Sequence, residues 1–468
     1  MRMRPPLIDV LGIGFGPANI ALAAALEEGA SPLQAVFLEA RPSAQWQPGM
    51  LFPGSDIQNH PLRDLVTPRN PRSRYSFTNF LFEQGRLFEH LNLGLPYPMR
   101  LEYAQYVSWV ASHFEAQVRY GCRVDSLRAA LDRTNGPHYE VRCGNGNAYR
   151  ARSVVVAPGR TPYVPPPLDS LDTAQVVHLT DYLPALARLR LQAGRLDHPP
   201  RIAVVGGSQS AVEILLHLAD AWPQAEVVGI SRRFGYRLKD TSPFTGEVYF
   251  PGFVDLFYGA SPERKDQLRR DLHPTNYASA DADVLDRLYQ RLYMDRLQGE
   301  DRLQVWRCAD LVGARLDGGR VVLDVRRNDL GEAVLGSAFD LVVCATGFRD
   351  IGPGEHQERC PRLLHGVLPL LALDGEGCLQ IGADYGLRLQ PGHCGGPLVL
   401  NGLCESSHGM GDAGSFSLLA LRAKTIAESL HRALPKAAAA CVAPSAVTRA
   451  PYPPAAALPA GAAEAVSL

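Results

Sequence analysis

No two of the nine cysteines form a C-x-x-C; they stand at Cys122, Cys143, Cys308, Cys344, Cys360, Cys378, Cys394, Cys404 and Cys441. The odd count and irregular spacing argue against a disulfide framework, a zinc knuckle and a dithiol redox centre, and no metal site is expected. Most of these thiols are expected to serve as small buried hydrophobes. Long apolar runs are missing too: nothing approaches the ~18 uninterrupted apolar residues of a membrane span. An excess of one charge is also lacking. The formal net charge is −1, so neither nucleic acid nor a membrane surface is expected as a partner. The basic start Met1-Arg-Met-Arg4 leads into apolar residues, but Asp9 interrupts them and a glycine turn follows where a cleavage site would stand. No signal peptide is expected, and the expected compartment is the cytoplasm.

What is present is a chain of 468 residues, 46% hydrophobic and 20% charged. That length suits two or three domains with a sizeable core. Leu7 to Leu11 read as a short buried strand, followed by Gly12-Ile-Gly14-Phe-Gly16-Pro17-Ala-Asn19, a helix-forming run to Glu28, and the apolar strand Ala35-Val-Phe-Leu38 ending in Glu39. Strand, glycine turn, helix, strand, acid is the order of a dinucleotide site. Gly12 permits the turn, Gly14 the approach of a pyrophosphate, and Gly16 close packing of helix on strand. The helix N-terminus then offers free N–H groups to phosphate. Glu39 lies near the ~20-residue spacing of a ribose-binding acid.

A second unit begins at Arg201-Ile-Ala-Val-Val205, continues through Gly206-Gly-Ser208-Gln209-Ser210 into a helix from Val212, and reaches the strand Glu226-Val-Val-Gly-Ile230. Here the second strand is followed by Ser231-Arg232-Arg233 in place of an acid. An arginine suits a 2′-phosphate where a glutamate suits a 2′-hydroxyl, so the first site reads as FAD and the second as NADPH. Two buried strands end in similar turns, Ala157-Pro-Gly159 and Ala345-Thr346-Gly347. Such turns mark where the chain crosses between nested dinucleotide domains. The fold class is therefore α/β, with two nested Rossmann-like domains and a small substrate-covering region. The FAD domain is expected at 1–165 and 340–435, and the NADPH domain at 166–339 with a substrate segment at 240–295. An Ala- and Pro-rich flexible tail is expected at 436–468.

Two such domains do not fix a chemistry. A disulfide reductase needs a cysteine pair on the flavin, and there is none. Baeyer–Villiger and dimethylaniline-type monooxygenases carry an F-x-G-x-x-x-H-x-x-x-W stretch that Gly159 to Pro167 lacks. Several segments in order resemble instead the microbial L-ornithine and L-lysine N-monooxygenases of siderophore synthesis. They are Gly14-Phe-Gly-Pro-Ala-Asn19, Trp46-Gln-Pro-Gly-Met-Leu51, Ile57-Gln58 through Arg63-Asp-Leu-Val-Thr67, Arg69 to Phe80, Thr275-Asn276-Tyr277, Ala345-Thr-Gly-Phe348 and His408-Gly-Met-Gly-Asp412. The resemblance covers about residues 7 to 430.

It implies a class 1.14.13 enzyme in which NADPH reduces FAD, O2 is captured as a C4a-hydroperoxyflavin, and the amine of a small molecule attacks the distal oxygen. The setting it implies is siderophore or other secondary metabolism. By the same resemblance Gln58 and Trp46 lie beside the flavin, and Ser208, Gln209 and Ser210 meet the NADPH pyrophosphate. Asn276 holds the substrate's amino-acid end, and Ser417, or else Ser415, stands near the amine. His408 is a packed residue. A homo-oligomer, a tetramer in the family, is implied as well.

Two positions depart from the family pattern: Arg63 replaces its carboxylate-binding lysine, and Gly246 replaces an asparagine offered to the substrate. Both touch substrate recognition and leave the cofactor motifs intact. The expectation is N-hydroxylation of an altered substrate, with aspartate, a diamine or an aromatic amine open beside the ornithine default. An NADPH-dependent flavoprotein oxidase or reductase without oxygen transfer is the alternative. A non-catalytic nucleotide-binding protein is disfavoured by the intact first turn.

Overall fold

The computed structural model describes residues 5–434 apart from 30, 133–135, 329–332 and 394. The tail at 436–468, Cys394 and Cys441 lie outside the described residues. The first sheet is built on the parallel strands Ala35–Leu38, Leu7–Ile13 and Ala148–Val156. Val118–Arg119 extends one side, and Leu398–Leu400 pairs parallel with Ala148–Val156. The meander Val124–Asp132 and Gly136–Cys143 joins antiparallel on the other side. Leu7–Ile13 is buried along most of its length because helices cover the sheet. One of these is Pro17–Glu27, whose alanine-rich run lets it lie close to the C-terminal helix Leu419–Ala433.

The second sheet is wholly parallel, in the order Leu303–Trp306, Glu226–Ile230, Arg201–Val205, Leu341–Cys344, Val176–His178. An antiparallel sheet of Ala309–Asp317, Arg320–Arg327 and Ala333–Phe339 packs beside it. The apolar stretch from Phe339 is thus not one strand. Phe339 ends the antiparallel sheet; Asp340 breaks the run by accepting from Arg201 N–H at 2.7 Å and pairing with Arg320 at 3.2 Å. Leu341–Cys344 then enters the second sheet, so the return crossing is Ala345-Thr-Gly347, a few residues beyond the boundary expected at 340. The outward and return crossings lie side by side as the ribbon Thr161–Pro162 with Phe348–Arg349.

A buried polar chain ties the first glycine turn to the end of the chain. Asn19 donates to the Gly14 carbonyl at 2.7 Å and accepts from Asn401 at 3.1 Å. Asn401 accepts in turn from Arg422 Nε at 2.9 Å. Arg422, 2% exposed, pairs with the fully buried Asp412 at 3.2 Å, and Tyr385 donates to the same carboxylate at 3.1 Å. The seven described cysteines are free, five of them buried. Among the described residues no helix is long and apolar enough to cross a membrane, and no cluster of His, Cys, Asp and Glu could hold a metal.

Removing one partner of a buried ion pair leaves the other charge uncompensated. Arg422→Leu should therefore cost about 3–5 kcal/mol in urea unfolding, with part recovered in the Arg422→Leu/Asp412→Asn double variant. A single variant as stable as the parent would contradict this role.

Candidate functional site

The three glycines of the first turn do different work from that expected. Gly12 lies within the strand, and a Cβ there would stand 2.2 Å from the Phe37 ring, so it serves packing and not the turn. Gly14 makes the turn: its φ is +87°, and a Cβ would stand 2.2 Å from the Ala157 carbonyl oxygen. Gly16 is the residue with open space around it, since a Cβ would meet nothing within 4 Å. It caps Pro17–Glu27 with no side-chain hydrogen bond, and Pro17 occupies the first turn. The orphan amides and the dipole of that helix start face a space free for phosphate. Glu39 fixes the loop by accepting from Phe15 N–H at 2.7 Å and Arg41 N–H at 2.9 Å. Asn19 is fully buried and pins the turn from within, so its part in nucleotide binding is indirect.

The second unit repeats the first. Gly206 has a φ of +156°, and a Cβ there would stand 2.3 Å from the Ala345 carbonyl oxygen. Ser208 caps the helix Gln209–Ala221 with no side-chain bond, and Gln209 N–H is taken by Ser279 O at 2.9 Å. Ser210 opens the helix beside it. Arg232 is exposed and has no carboxylate within 4 Å among the described residues. Arg233 donates to the Ala278 carbonyl at 3.2 Å; burial, then the charges of Arg237 and Arg232, push its guanidinium down. Three arginines that repel one another make a site that a phosphate would relieve, and Arg237 is one no motif had marked. Thr346 lies in the return crossing, where its hydroxyl bonds the Tyr163 carbonyl at 2.5 Å. Gly347 O accepts from Tyr163 N–H at 3.0 Å and lies 2.8 Å from His178 Nε2. Both residues pin the two crossings together.

Between the sheets lies a cleft of about 1180 Å³. It collects Trp46, Gln58, Arg63, Gly246, Asn276 and Ser417 from five separate segments, and its lining also holds Gly206 to Ser210, Arg232, Arg233, Thr346 and Gly347. Gly12, Gly14, Gly16, Pro17, Asn19 and Glu39 are not in this lining and belong to the first turn alone. Trp46 packs edge-on against Phe416 and Tyr103, with ring centroids at 5.2 and 5.9 Å. Arg63 Nη1 lies 3.4 Å from Ser417 Oγ, which donates to Asn59 at 3.0 Å. Ser415 Oγ accepts from Ser417 N–H at 3.0 Å, so Ser415 positions Ser417. A Cβ at Gly246 would meet nothing within 4 Å, so the missing side chain leaves real space. The Asn276 side chain makes no hydrogen bond among the described residues.

Gln58 adopts a φ of +50° and bridges the two halves of the molecule. Its amide nitrogen donates to Asp281, and its oxygen accepts from Lys239 at 3.3 Å. Lys239 pairs with Asp281 at 3.8 Å. Asp56 receives Gln58 N–H at 2.9 Å; burial nonetheless pushes its carboxyl up to about 6, with Glu213 and Asp281 adding to the rise. Neither Lys239, Asp281 nor Asp56 carries a sequence signal, because each matters only through a neighbour distant in the chain. His408 is buried, stacks on Tyr385 at 4.1 Å, and is held neutral by burial. It does not line the cleft. The first helix start is open, and the second borders the cleft beside the arginine cluster, an arrangement with the donors and positive charge that phosphates require.

A family described as L-lysine 6-monooxygenase/L-ornithine 5-monooxygenase matches residues 6–350. The L-ornithine N(5)-monooxygenase of Pseudomonas aeruginosa is 34% identical over 441 residues, which is 92% of this chain and 95% of that one. The reduced form of an ornithine hydroxylase from the same species has the same fold, with a TM-score of 0.83 and 32% identity, over 91% of this chain and 99% of that one. An ornithine N-hydroxylase of Kutzneria sp. 744, solved with reduced FAD, NADP+ and L-ornithine, gives a TM-score of 0.82 at 33% identity over 91% and 99%.

The glycine geometry separates two substitutions. Gly12→Ala should cost about 1–3 kcal/mol in unfolding through overpacking on Phe37. Gly16→Ala should leave unfolding unchanged and lower the flavin content of the purified protein. The reverse pattern in flavin absorbance and denaturation would contradict this assignment.

Proposed function

The chain belongs to the L-lysine 6-monooxygenase/L-ornithine 5-monooxygenase family of flavin-dependent N-hydroxylating enzymes, and we propose that it hydroxylates the amine of a small molecule that also carries a carboxylate. FAD and NADPH are its cofactors and O2 its co-substrate. When bound and reduced, the flavin supplies the activated oxygen that ends in the hydroxylamine. Gly16 and the start of Pro17–Glu27, with Glu39, would hold FAD; Ser208, Ser210, Arg232 and Arg233 would hold NADPH.

The observation that carries the substrate reading is the pairing of the cleft's cations. Lys239 is paired with Asp281, Arg100 with Glu213 at 2.9 Å, and Arg160 with Asp350 and Glu405 at 3.6 Å. Arg63 has no carboxylate within 4 Å among the described residues and touches only the Ser417 hydroxyl. A half-buried guanidinium left so is best satisfied by an anion on the substrate, gripped bidentately. A diamine would instead bring a second cation towards it, and an aromatic amine would leave it unpaired. Asn276 and Ser417 then orient the two ends of the substrate. The space at Gly246 supports a substrate differing from ornithine, with a doubly acidic amine such as aspartate among the candidates. The amine, with an ordinary pKa near ~10.4, must arrive at the reacting oxygen neutral. Gln58, fixed by Lys239 and Asp281, positions the wall it approaches. Water exclusion falls to Trp46, Met50, Tyr249 and Phe250, which line the cleft. A role in siderophore or other secondary-metabolite synthesis and a homo-oligomeric state belong to the same proposal; sedimentation of the holoenzyme tests the latter.

NADPH oxidation and hydroxylamine formation should be scored separately against ornithine, lysine, aspartate, putrescine, cadaverine and an aromatic amine. Coupled product is expected from a carboxylate-bearing amine, and Arg63→Gln should raise its KM by roughly 10²-fold, the ~1.5–3 kcal/mol of a charged hydrogen bond. Coupling with ornithine alone would end the altered-substrate reading. Stoichiometric peroxide with every amine would favour an oxidase.

A further inference from the structure

Behind the stretch of cleft wall formed by Arg160 and Tyr277 lies a buried acid pair that no step above uses. Asp350 follows the ribbon strand Phe348–Arg349, and Glu405 opens the short helix Glu405–His408. Their carboxyl groups converge on a single guanidinium, that of Arg160. Ionised carboxylates only accept and repel one another, so two drawn to one cation in a buried setting are eased by a proton held between them. Arg160 Nη1 stands 3.6 Å from each acid, and one guanidinium cannot balance two carboxylates in a buried setting. Asp350 Oδ1 is buried and takes no hydrogen bond among the described residues, which a shared proton would remedy. Burial, then the Asp350 charge, pushes Glu405 well above the usual carboxylate range, and burial raises Asp350 against the pull of Arg160.

Tyr277 connects the pair to the cleft. Its hydroxyl bonds Glu405 and lies 3.3 Å from Arg160 Nη1, while the residue itself lines the cleft next to Asn276. The other ionisable groups around the pair are accounted for. Arg269, on Pro262–Leu272, donates to Ser406 O at 2.8 Å and adds positive charge. Tyr249 and the Cys404 thiol are held protonated by burial, and His408 is held neutral. Asp412 is paired with Arg422.

We propose that Asp350 and Glu405 form a proton store for the cleft, exchanging a proton with the bound substrate through the Tyr277 hydroxyl. The proposal rests on the amine-hydroxylation reading. The overall conversion is RNH3+ + O2 + NADPH to RNHOH + H2O + NADP+. The ammonium must lose a proton before its lone pair can form the N–O bond, and that proton is needed again when the second oxygen leaves as water. O2 takes two electrons from NADPH and two from the nitrogen lone pair. The Tyr277 oxygen accepts the ammonium proton as its own O–H proton passes to the acid pair; the reverse shift returns a proton to the departing oxygen. The amine is thus neutralised without releasing its proton to bulk water. Asp350, Glu405 and Tyr277 touch the reaction only through the transferred proton.

Two measurements test this. Infrared titration of the flavin-loaded enzyme without substrate should show a protonated carboxyl band persisting at neutral pH, lost in Glu405→Gln and in Asp350→Asn. Proton release on binding of the accepted amine should then be counted with a pH indicator in weakly buffered solution. The parent enzyme should release well under one proton per amine bound, whereas Tyr277→Phe and Glu405→Gln, loaded with flavin, should release close to one. Absence of the band in the parent enzyme, or a Tyr277→Phe count equal to the parent's, overturns the proposal. Should an acid-pair variant fail to fold, the parent titration and Tyr277→Phe still decide. If no amine binds at all, the amine reading fails while the infrared band still reports on the acid pair.

Discussion

The architecture depends on one contact made twice: an α-hydrogen of glycine set against a backbone carbonyl. Gly14 meets the Ala157 oxygen and Gly206 meets the Ala345 oxygen, each closer than any side chain permits. In both units the carbonyl belongs to the first residue of a crossing turn. Each glycine turn is therefore held by the very segment that leads from one sheet to the other. The parallel extends to the hydrogen bonds: Ala157 N–H donates to Ile13 O at 2.8 Å, and Ala345 N–H to Val205 O at 2.8 Å. Relative placement of the two glycine turns is thus a property of backbone packing, reinforced where Thr346 and Gly347 bind Tyr163.

Electrostatics divides the cleft into settled and unsettled charge. Lys239, Arg100 and Arg160 have protein carboxylates, and their role is to hold segments together. Among the described residues, Arg63, Arg232 and the Arg233–Arg237 pair lack them, which suits sites completed by anions from outside. Gln58 joins the two classes. Its positive φ is maintained by Asp281 and Lys239 on the opposite side of the cleft, so a residue on the first half is oriented by the second.

Much of this was legible in the sequence because Rossmann units are local. Arg201–Val205 and Glu226–Ile230 fall where apolar runs and turn residues place them. Legibility ended where the physics is not local. The parts of Gly12, Gly14 and Gly16 are shifted by one glycine relative to their motif positions, because Phe37, not the turn, decides what fits at Gly12. The break between Ala333–Phe339 and Leu341–Cys344 is hidden in the sequence because Phe339 and Leu341 are both buried and apolar; only the partners of Asp340 reveal it. The acid pair draws on Arg160, Tyr277, Asp350 and Glu405, four segments with no shared pattern. Arg63 and Gly246 were visible as departures, yet what faces Arg63 could be read only in three dimensions.

The chain from Asn19 through Asn401 to Arg422 has a bearing on biosynthesis. The first glycine turn emerges early from the ribosome, but its internal support and the strand Leu398–Leu400 come from the last stretch of the chain. The second domain, contained between the two crossings, has all its own strands by Cys344. During synthesis the domain built on the second sheet is free to fold first, while the domain built on the first sheet waits for Arg422 to emerge. Completion of the first glycine turn is therefore a late event, and a chain truncated before Leu419–Ala433 would forfeit it.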